Sequence, residues 1–180
     1  MVTTPKLTYQ DYANLEGDER YELLNGELIL VASPNRGHQS ASVRLLTRMH
    51  SFVEENDLGW VYCAPFDVLF TDTDVVQPDI LFISREREHI LTPANVQGAP
   101  DLIVEILSPS SSTRDWRSKR ELYSAHGVRE YWIVDPTNRI VSILLPQDGV
   151  LEIDQTHTED ETATSTVIEG FSVSLDTIFS

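Results

Sequence analysis

GAPDLIVEILSPSS, residues 98–111, decides how this chain folds. Its centre, LIVEIL at 102–107, sets one carboxylate among five apolar side chains. A run that apolar reads as a β-strand buried on both faces, as in the middle of an α/β sheet. Alternation puts Ile103, Glu105 and Leu107 on one face and Leu102, Val104 and Ile106 on the other. An ionised carboxylate inside such a strand costs on the order of several kcal/mol unless it meets a metal ion, a cationic side chain or a proton. A structural ion pair with a nearby arginine, or an exposed strand end, would also account for Glu105.

The flanking sequence supplies the partners of this strand. Downstream, SPSSST offers caps for a helix near 113–126, which Gly127 stops. EYWIV at 130–134 forms the next strand, Asp135-Pro136 starts a turn, and IVSILL at 140–145 returns as its partner. Upstream, a polar loop at 85–99 follows the strand ILFIS, which Pro78-Asp79 opens. WVYCAPFDVLF at 60–70 reads as a strand in which Pro65 marks an edge or a bulge, with Asp72 and Asp74 in the turn beyond it. Residues 38–56 have helical periodicity, with Val43, Leu46, Met49 and Val53, joined by Leu45 and Phe52, on the apolar side. Two apolar segments, 20–24 and 27–32, meet at Asn25-Gly26, a strong hairpin signal. Thr8 and Asp11 cap a short helix near 9–15, and the tail, 150–180, adds one or two edge strands. This order predicts an α/β fold, a mixed sheet flanked by helices, with an N-terminal β-hairpin. The expected organisation is one domain over 1–180, with its core at about 20–146 and an acidic extension, 147–180, packed on the edge.

Composition narrows the function. The 180 residues are 41% hydrophobic, ordinary for a globular protein. No apolar run is long enough to span a bilayer, and MVTTPKLTYQDY lacks the apolar stretch of a signal peptide. Cys63 is the only cysteine, which excludes an intrachain disulfide and a cysteine-based zinc cluster. A reducing, cytoplasmic setting is expected. The formal net charge of −16 argues against a nucleic-acid partner, but its distribution is uneven. Residues 28–53 contain no acid and hold Arg36, Arg44 and Arg48, and a second basic cluster comprises Arg114, Arg117, Lys119 and Arg120. These patches could hold a polyanion or could be solvated helix faces. Dinucleotide, P-loop, zinc-protease and hydrolase-elbow motifs do not occur.

Three residues carry the candidate chemistry. Asp79 begins the strand before Glu105, and two carboxylates on neighbouring strands make an oxygen-rich site suited to Mg²⁺ or Mn²⁺, with the Ile106 carbonyl as a third ligand. Trp116, Lys119 and Tyr123 share a helix face, so Lys119 points inward and wants an anion, although a snorkelling lysine has the same spacing. His38 and Gln39, which open the long helix, are weaker substrate-binding candidates, as are Arg114 and Arg117. Glu22 and Glu27 bracket the hairpin turn and read as ordinary strand positions, one of which could reach a metal through water.

YELLNGELI, GHQ at 37–39, VVQPDILFI, GAPDLIVEILSPSS, the helix containing Lys119, and REYWIVDP together resemble the Uma-type family of restriction endonuclease-like proteins, within the PD-(D/E)XK nuclease superfamily, over about residues 20–146. The resemblance implies a restriction endonuclease-like core, metal binding by Asp79 and Glu105, and phosphodiester hydrolysis. One departure stands out: the superfamily usually has lysine two residues after the glutamate, where this chain has Leu107. The resemblance implies that the lysine has moved to the next helix as Lys119. The leading expectation is a Mg²⁺-dependent (or Mn²⁺-dependent) endonuclease acting on DNA, with RNA second, as a homodimer and without a membrane partner. The rival is a nuclease-fold module that binds nucleic acid or protein without cleaving, and a third reading makes Glu105 a salt-bridge anchor in a structural protein.

Overall fold

Local signals set the first elements of the computed structural model, which describes residues 5–108 and 113–180, with side chains in the latter part from 116 onward. Thr8 and Asp11 form a reciprocal capping box on helix α1 (Tyr9–Ala13). Strands β1 (Tyr21–Leu24) and β2 (Glu27–Leu30) form the expected hairpin. Its turn needs positive φ at both central residues, +52° at Asn25 and +78° at Gly26. A Cβ on Gly26 would also lie 2.5 Å from that of Lys6, so only glycine fits.

Helix α2 (Arg36–Glu55) begins at Asn35, whose side chain accepts from the His38 amide. Its buried row is Ala41, Leu45, Met49 and Val53, an i, i+4 stripe. Leu46 and Phe52 flank that row, whereas Val43 is exposed, so the apolar face is rotated from the one periodicity suggested. The expected strand at 60–70 is two strands, β3 (Gly59–Cys63) and β4 (Asp67–Thr71), in different sheets. Pro65 lies between them; it has no N–H for a ladder, and the chain crosses from one sheet to the other there. β5 (Asp74–Val76) follows where a turn was expected, and β6 (Ile80–Ser84) follows Pro78-Asp79 as expected. The polar loop contains a 3₁₀ helix (Arg85–Ile90) and β7 (Asn95–Gln97). β8 (Leu102–Ile106), α3 (Thr113–Ala125), β9 (Glu130–Asp135) and β10 (Ile140–Gln147) then succeed one another. Gly127, at φ +78°, follows the end of α3. Of the proposed SPSSST cap, Pro109–Ser112 lie outside the described residues. The tail supplies β11 (Val150–Thr158), β12 (Thr162–Thr164), β13 (Ser172–Ser174) and α4 (Asp176–Phe179).

Among the described residues these strands make a six-stranded mixed sheet, β11-β10-β9-β8-β6-β3, in which β8 and β9 are parallel. A second sheet, β2-β1-β5-β4-β7, holds the hairpin, and β12 pairs with β13. The large sheet buries both faces. Leu102, Val104 and Ile106 pack in one cluster with Trp132 and the α2 stripe, while Ile103 joins Tyr123 and Tyr131 in the other. The tail completes the first cluster with Ile168, Phe171, Leu175 and Ile178, as well as placing β11 on the sheet edge.

Two fully buried carboxylates hold this packing together. Asp101 accepts from the Ser84 amide at 2.8 Å and pairs with Arg129 at 3.1 Å and Arg87 at 3.3 Å. Glu130 faces the α2 side and accepts from Trp132 Nε1 at 2.6 Å, Thr166 N at 2.7 Å, Thr166 Oγ1 at 2.5 Å and Val167 N at 3.2 Å. It thereby fastens the tail to β9. Replacing it would leave buried donors without an acceptor, at about 1–3 kcal/mol each. Glu130→Ala is therefore expected to lower unfolding stability by at least about 3 kcal/mol in a urea titration, and an unchanged midpoint would contradict this role.

Candidate functional site

Strand register determines which acids meet. β6 and β8 are antiparallel with Ile80 opposite Val104 and Leu81 opposite Ile103. One step further along the same register sets Asp79 opposite Glu105, with both side chains on the Ile103 face. Like charges directly opposite repel, so this placement requires compensation. Some of it comes from the backbone: Ile106 N donates to Asp79 Oδ2 at 2.7 Å. His38 Nε2 lies 3.1 Å from Asp79 Oδ1.

The rest comes from α3. Its face carries Lys119 and Tyr123 inward, as their spacing suggested. Lys119 Nζ donates to Glu105 Oε1 at 2.9 Å and to Glu22 Oε1 at 2.8 Å, and Tyr123 OH donates to Glu105 Oε1 at 2.6 Å. Glu22 comes from β1 of the other sheet and also accepts the Gln77 amide at 2.8 Å. The Gln77 side chain in turn holds Arg20, accepting from its Nε at 3.1 Å and its Nη2 at 2.9 Å.

Burial and charge explain the titration of this group. Burial raises the Glu105 carboxyl, Lys119 opposes that rise, and the Glu22 and Asp79 charges add to it, so Glu105 is pushed up to about 7. Burial pulls the Lys119 amine down, but Glu105 and Glu22 outweigh it and hold the amine above the ordinary lysine range. Burial, then the Glu105 charge, raises the Tyr123 hydroxyl, which stays a donor.

Apart from Tyr123, which lies behind Glu105, these groups border one cleft of about 300 Å³. Asp79, Glu105, Ile106 and Lys119 line it, together with His38 and Gln39 from the first turn of α2. Arg117 is exposed and is not among the lining residues, and the Arg114 side chain lies outside the described ones. Arg120 is engaged elsewhere, donating to the Leu151 carbonyl and pairing with Glu152, while Arg44 donates to the Ile178 carbonyl. Part of the two basic patches thus serves the tail's attachment. Glu27 is exposed, but Glu22 is 5% exposed and belongs to the site. Its only sequence signal was a carboxylate beside Leu23 in a short strand, a pattern that reads as surface. Cleft residues Arg20 and Tyr131 carried no signal that set them apart from ordinary polar and core positions.

The comparisons with known proteins concern this whole arrangement. None of the curated proteins matches the chain. A solved structure from Anabaena variabilis ATCC 29413, described as "a putative nuclease belonging to DUF820", superposes with a TM-score of 0.79 at 20% identity, covering 96% of this chain and 97% of that one. At that identity the likeness establishes a shared fold. The Uma2 family, described as "Putative restriction endonuclease", matches residues 8–176, which include the hairpin, both strands of the acidic pair, α3 and most of the tail. The chain therefore belongs to the Uma2 family.

Proposed function

We propose that the chain is a metal-dependent nuclease that hydrolyses phosphodiester bonds of DNA, using Asp79, Glu105 and the Ile106 carbonyl to hold Mg²⁺ or Mn²⁺. The observation that carries this reading is the register that sets Asp79 opposite Glu105 at the wall of a cleft, beside Lys119.

The donor set fits a hard divalent cation. Glu22 and Glu105 share one ammonium while Asp79 adds its charge beside Glu105, which leaves negative charge for a cation to offset. Among the described residues both hydrogen bonds to Glu105 fall on Oε1, and each Asp79 oxygen keeps a second lone pair. Among the described residues, no group of three or more His, Cys, Asp or Glu is arranged to hold a metal. An ion held there by Asp79, Glu105 and one carbonyl would keep several waters, as Mg²⁺ does. When bound, such an ion would polarise the scissile phosphate and lower the pKa of a coordinated water.

The chain's own groups do the rest. The Ile106 amide and His38 hold the Asp79 carboxylate, and Tyr123 and Lys119 hold that of Glu105. Lys119 acts as a fixed positive charge beside the cleft, where the phosphate gathers negative charge in the transition state. In hydrolysis a water oxygen bonds to phosphorus as that water gives up a proton to solvent, one phosphorus–oxygen ester bond breaks, and the departing oxygen takes a proton from solvent.

Asp79→Ala and Glu105→Gln should each lower Mg²⁺-dependent cleavage of a duplex oligonucleotide by at least about a hundredfold; undiminished cleavage by either purified variant would reject the reading. A pH dependence follows from Glu105. Below about 7 its carboxyl is largely protonated, and above that it is ionised and free to bind a cation. Calorimetric Mn²⁺ affinity should therefore be weaker near pH 6 than near pH 8, by up to about tenfold. In Glu105→Gln it should be weak at both, and equal wild-type affinity at the two pH values would count against Glu105 as a ligand.

A further inference from the structure

Resting on the nuclease reading, we infer that Trp116 is a stacking platform for a nucleobase, so that the cleft takes an unpaired nucleotide. Trp116 is the third member of the α3 face that supplies Lys119 and Tyr123, and hydrolysis at Asp79 and Glu105 gives it no task. That face grades outward. Tyr123 is fully buried, the Lys119 side chain is 13% exposed, and Trp116 is half-buried. Trp116 precedes Lys119 by three residues, about 4.5 Å along the helix axis. Both line the cleft.

The other two tryptophans have structural partners. Trp132 is fully buried in the core with the α2 stripe and donates to Glu130. Trp60 has the Arg85 guanidinium over its ring, 5.3 Å from the centroid. Trp116 belongs to neither core cluster, and its indole has no hydrogen bond, ring partner or cation among the described residues. Its neighbours in the cleft lining are of the same kind. Leu30 and Val43, each 58% exposed, border the same cleft, together with Ile29, Val31 and Pro34. Single exposed apolar side chains need no explanation, but several of them with an indole around one cleft form a surface for an apolar ligand.

The chemistry of the substrate selects that ligand. A nucleic acid offers charged phosphates and flat bases. Asp79, Glu105 and Lys119 serve the phosphate side of the cleft, and the apolar lining suits a base. In a paired duplex the base faces are stacked on one another, and only phosphates, sugars and groove edges are presented. An unpaired nucleotide turns its base face outward, and aromatic side chains stack on such bases in single-strand recognition. Stacking requires few cations, which matches a cleft whose described lining has Arg20 and Lys119 as its only lysine or arginine side chains. Every base has a π face, so the platform carries no sequence preference of its own. A paired duplex reaches the same position only after one nucleotide leaves its stack, a cost that a single strand does not meet.

Two substitutions test the ring. Trp116→Leu removes it and keeps apolar bulk, and Trp116→Phe keeps a smaller ring. With Mg²⁺, a single-stranded DNA oligonucleotide and a duplex with one bulged nucleotide should each be cleaved with kcat/KM at least about tenfold above that of the fully paired duplex. Trp116→Leu is expected to raise KM for the single strand by about fivefold to a hundredfold, and Trp116→Phe by less. Independently of cleavage, with Ca²⁺ in place of Mg²⁺ the single strand should quench tryptophan fluorescence of the full chain. That quench should vanish in Trp116→Phe, which retains Trp60 and Trp132. Equal kcat/KM for single strand and paired duplex, wild-type KM in Trp116→Leu, or an undiminished quench in Trp116→Phe would each overturn the inference. A wild-type protein that shows the Trp116-dependent quench but cleaves no nucleic acid would reject the nuclease reading and leave the platform standing. Cleavage with wild-type KM in Trp116→Leu rejects the platform alone.

Discussion

The Lys119 ammonium sits between two carboxylates that belong to different sheets, and the cleft takes its shape from that contact. At 2.8 Å from Glu22 and 2.9 Å from Glu105, Nζ ties β1 of the hairpin sheet to β8 of the large sheet through α3. Without a shared cation, Glu22, Asp79 and Glu105 would repel one another in a partly desolvated space. With it, the repulsion is reduced but not removed, which is why Glu105 remains pushed up to about 7 beside a cationic partner. The same contact closes one side of the cleft and leaves the cluster short of positive charge.

The other buried carboxylates show what a purely structural solution looks like in this chain. Asp101 has two arginines and a backbone amide; among the described residues Glu130 has no cation, only an indole, a hydroxyl and two amides that converge on its oxygens. Neither lines the cleft, and each sits between elements that it joins. Glu105 differs in facing other acids and in bordering open volume. Burial alone therefore does not single out a working site here. A burial that leaves charge uncompensated next to a cavity does.

That distinction explains how far the sequence could be read. Period-two alternation in LIVEIL separated Glu105 from Leu102, Val104 and Ile106, and the two core clusters divide along that line. Helical spacing likewise put Lys119 on the Tyr123 face, because i, i+4 geometry is local. What escaped depended on contacts between distant segments. Glu22 lies 97 residues from Lys119, and nothing near it indicates a partner. Pro65 was readable as an interruption, but not as the crossing between two sheets. The acidic tail reads as a surface extension, yet Ile168, Phe171 and Ile178 sit in the core because Glu130 fastens residues 166 and 167 to β9. Val43 misled for a related reason: the helix was apolar on more than one side, and only packing against the sheet chose the Ala41–Leu45–Met49–Val53 row.

The net charge of −16 bears on the proposed function through what lies at the cleft. Its described lining includes two cationic side chains, Arg20 and Lys119, one held by Gln77 and the other by two carboxylates. Arg44 and Arg120, which looked available in the sequence, bind carbonyls of the tail. Affinity for a phosphate backbone scales with the number of phosphates neutralised, so few free cations at the cleft mean a small electrostatic contribution from protein side chains. In the proposed reading the principal positive charge meeting the substrate is then the divalent ion. Recognition and chemistry would coincide at Asp79 and Glu105, so an acidic chain can act on a polyanion without a basic surface to gather it.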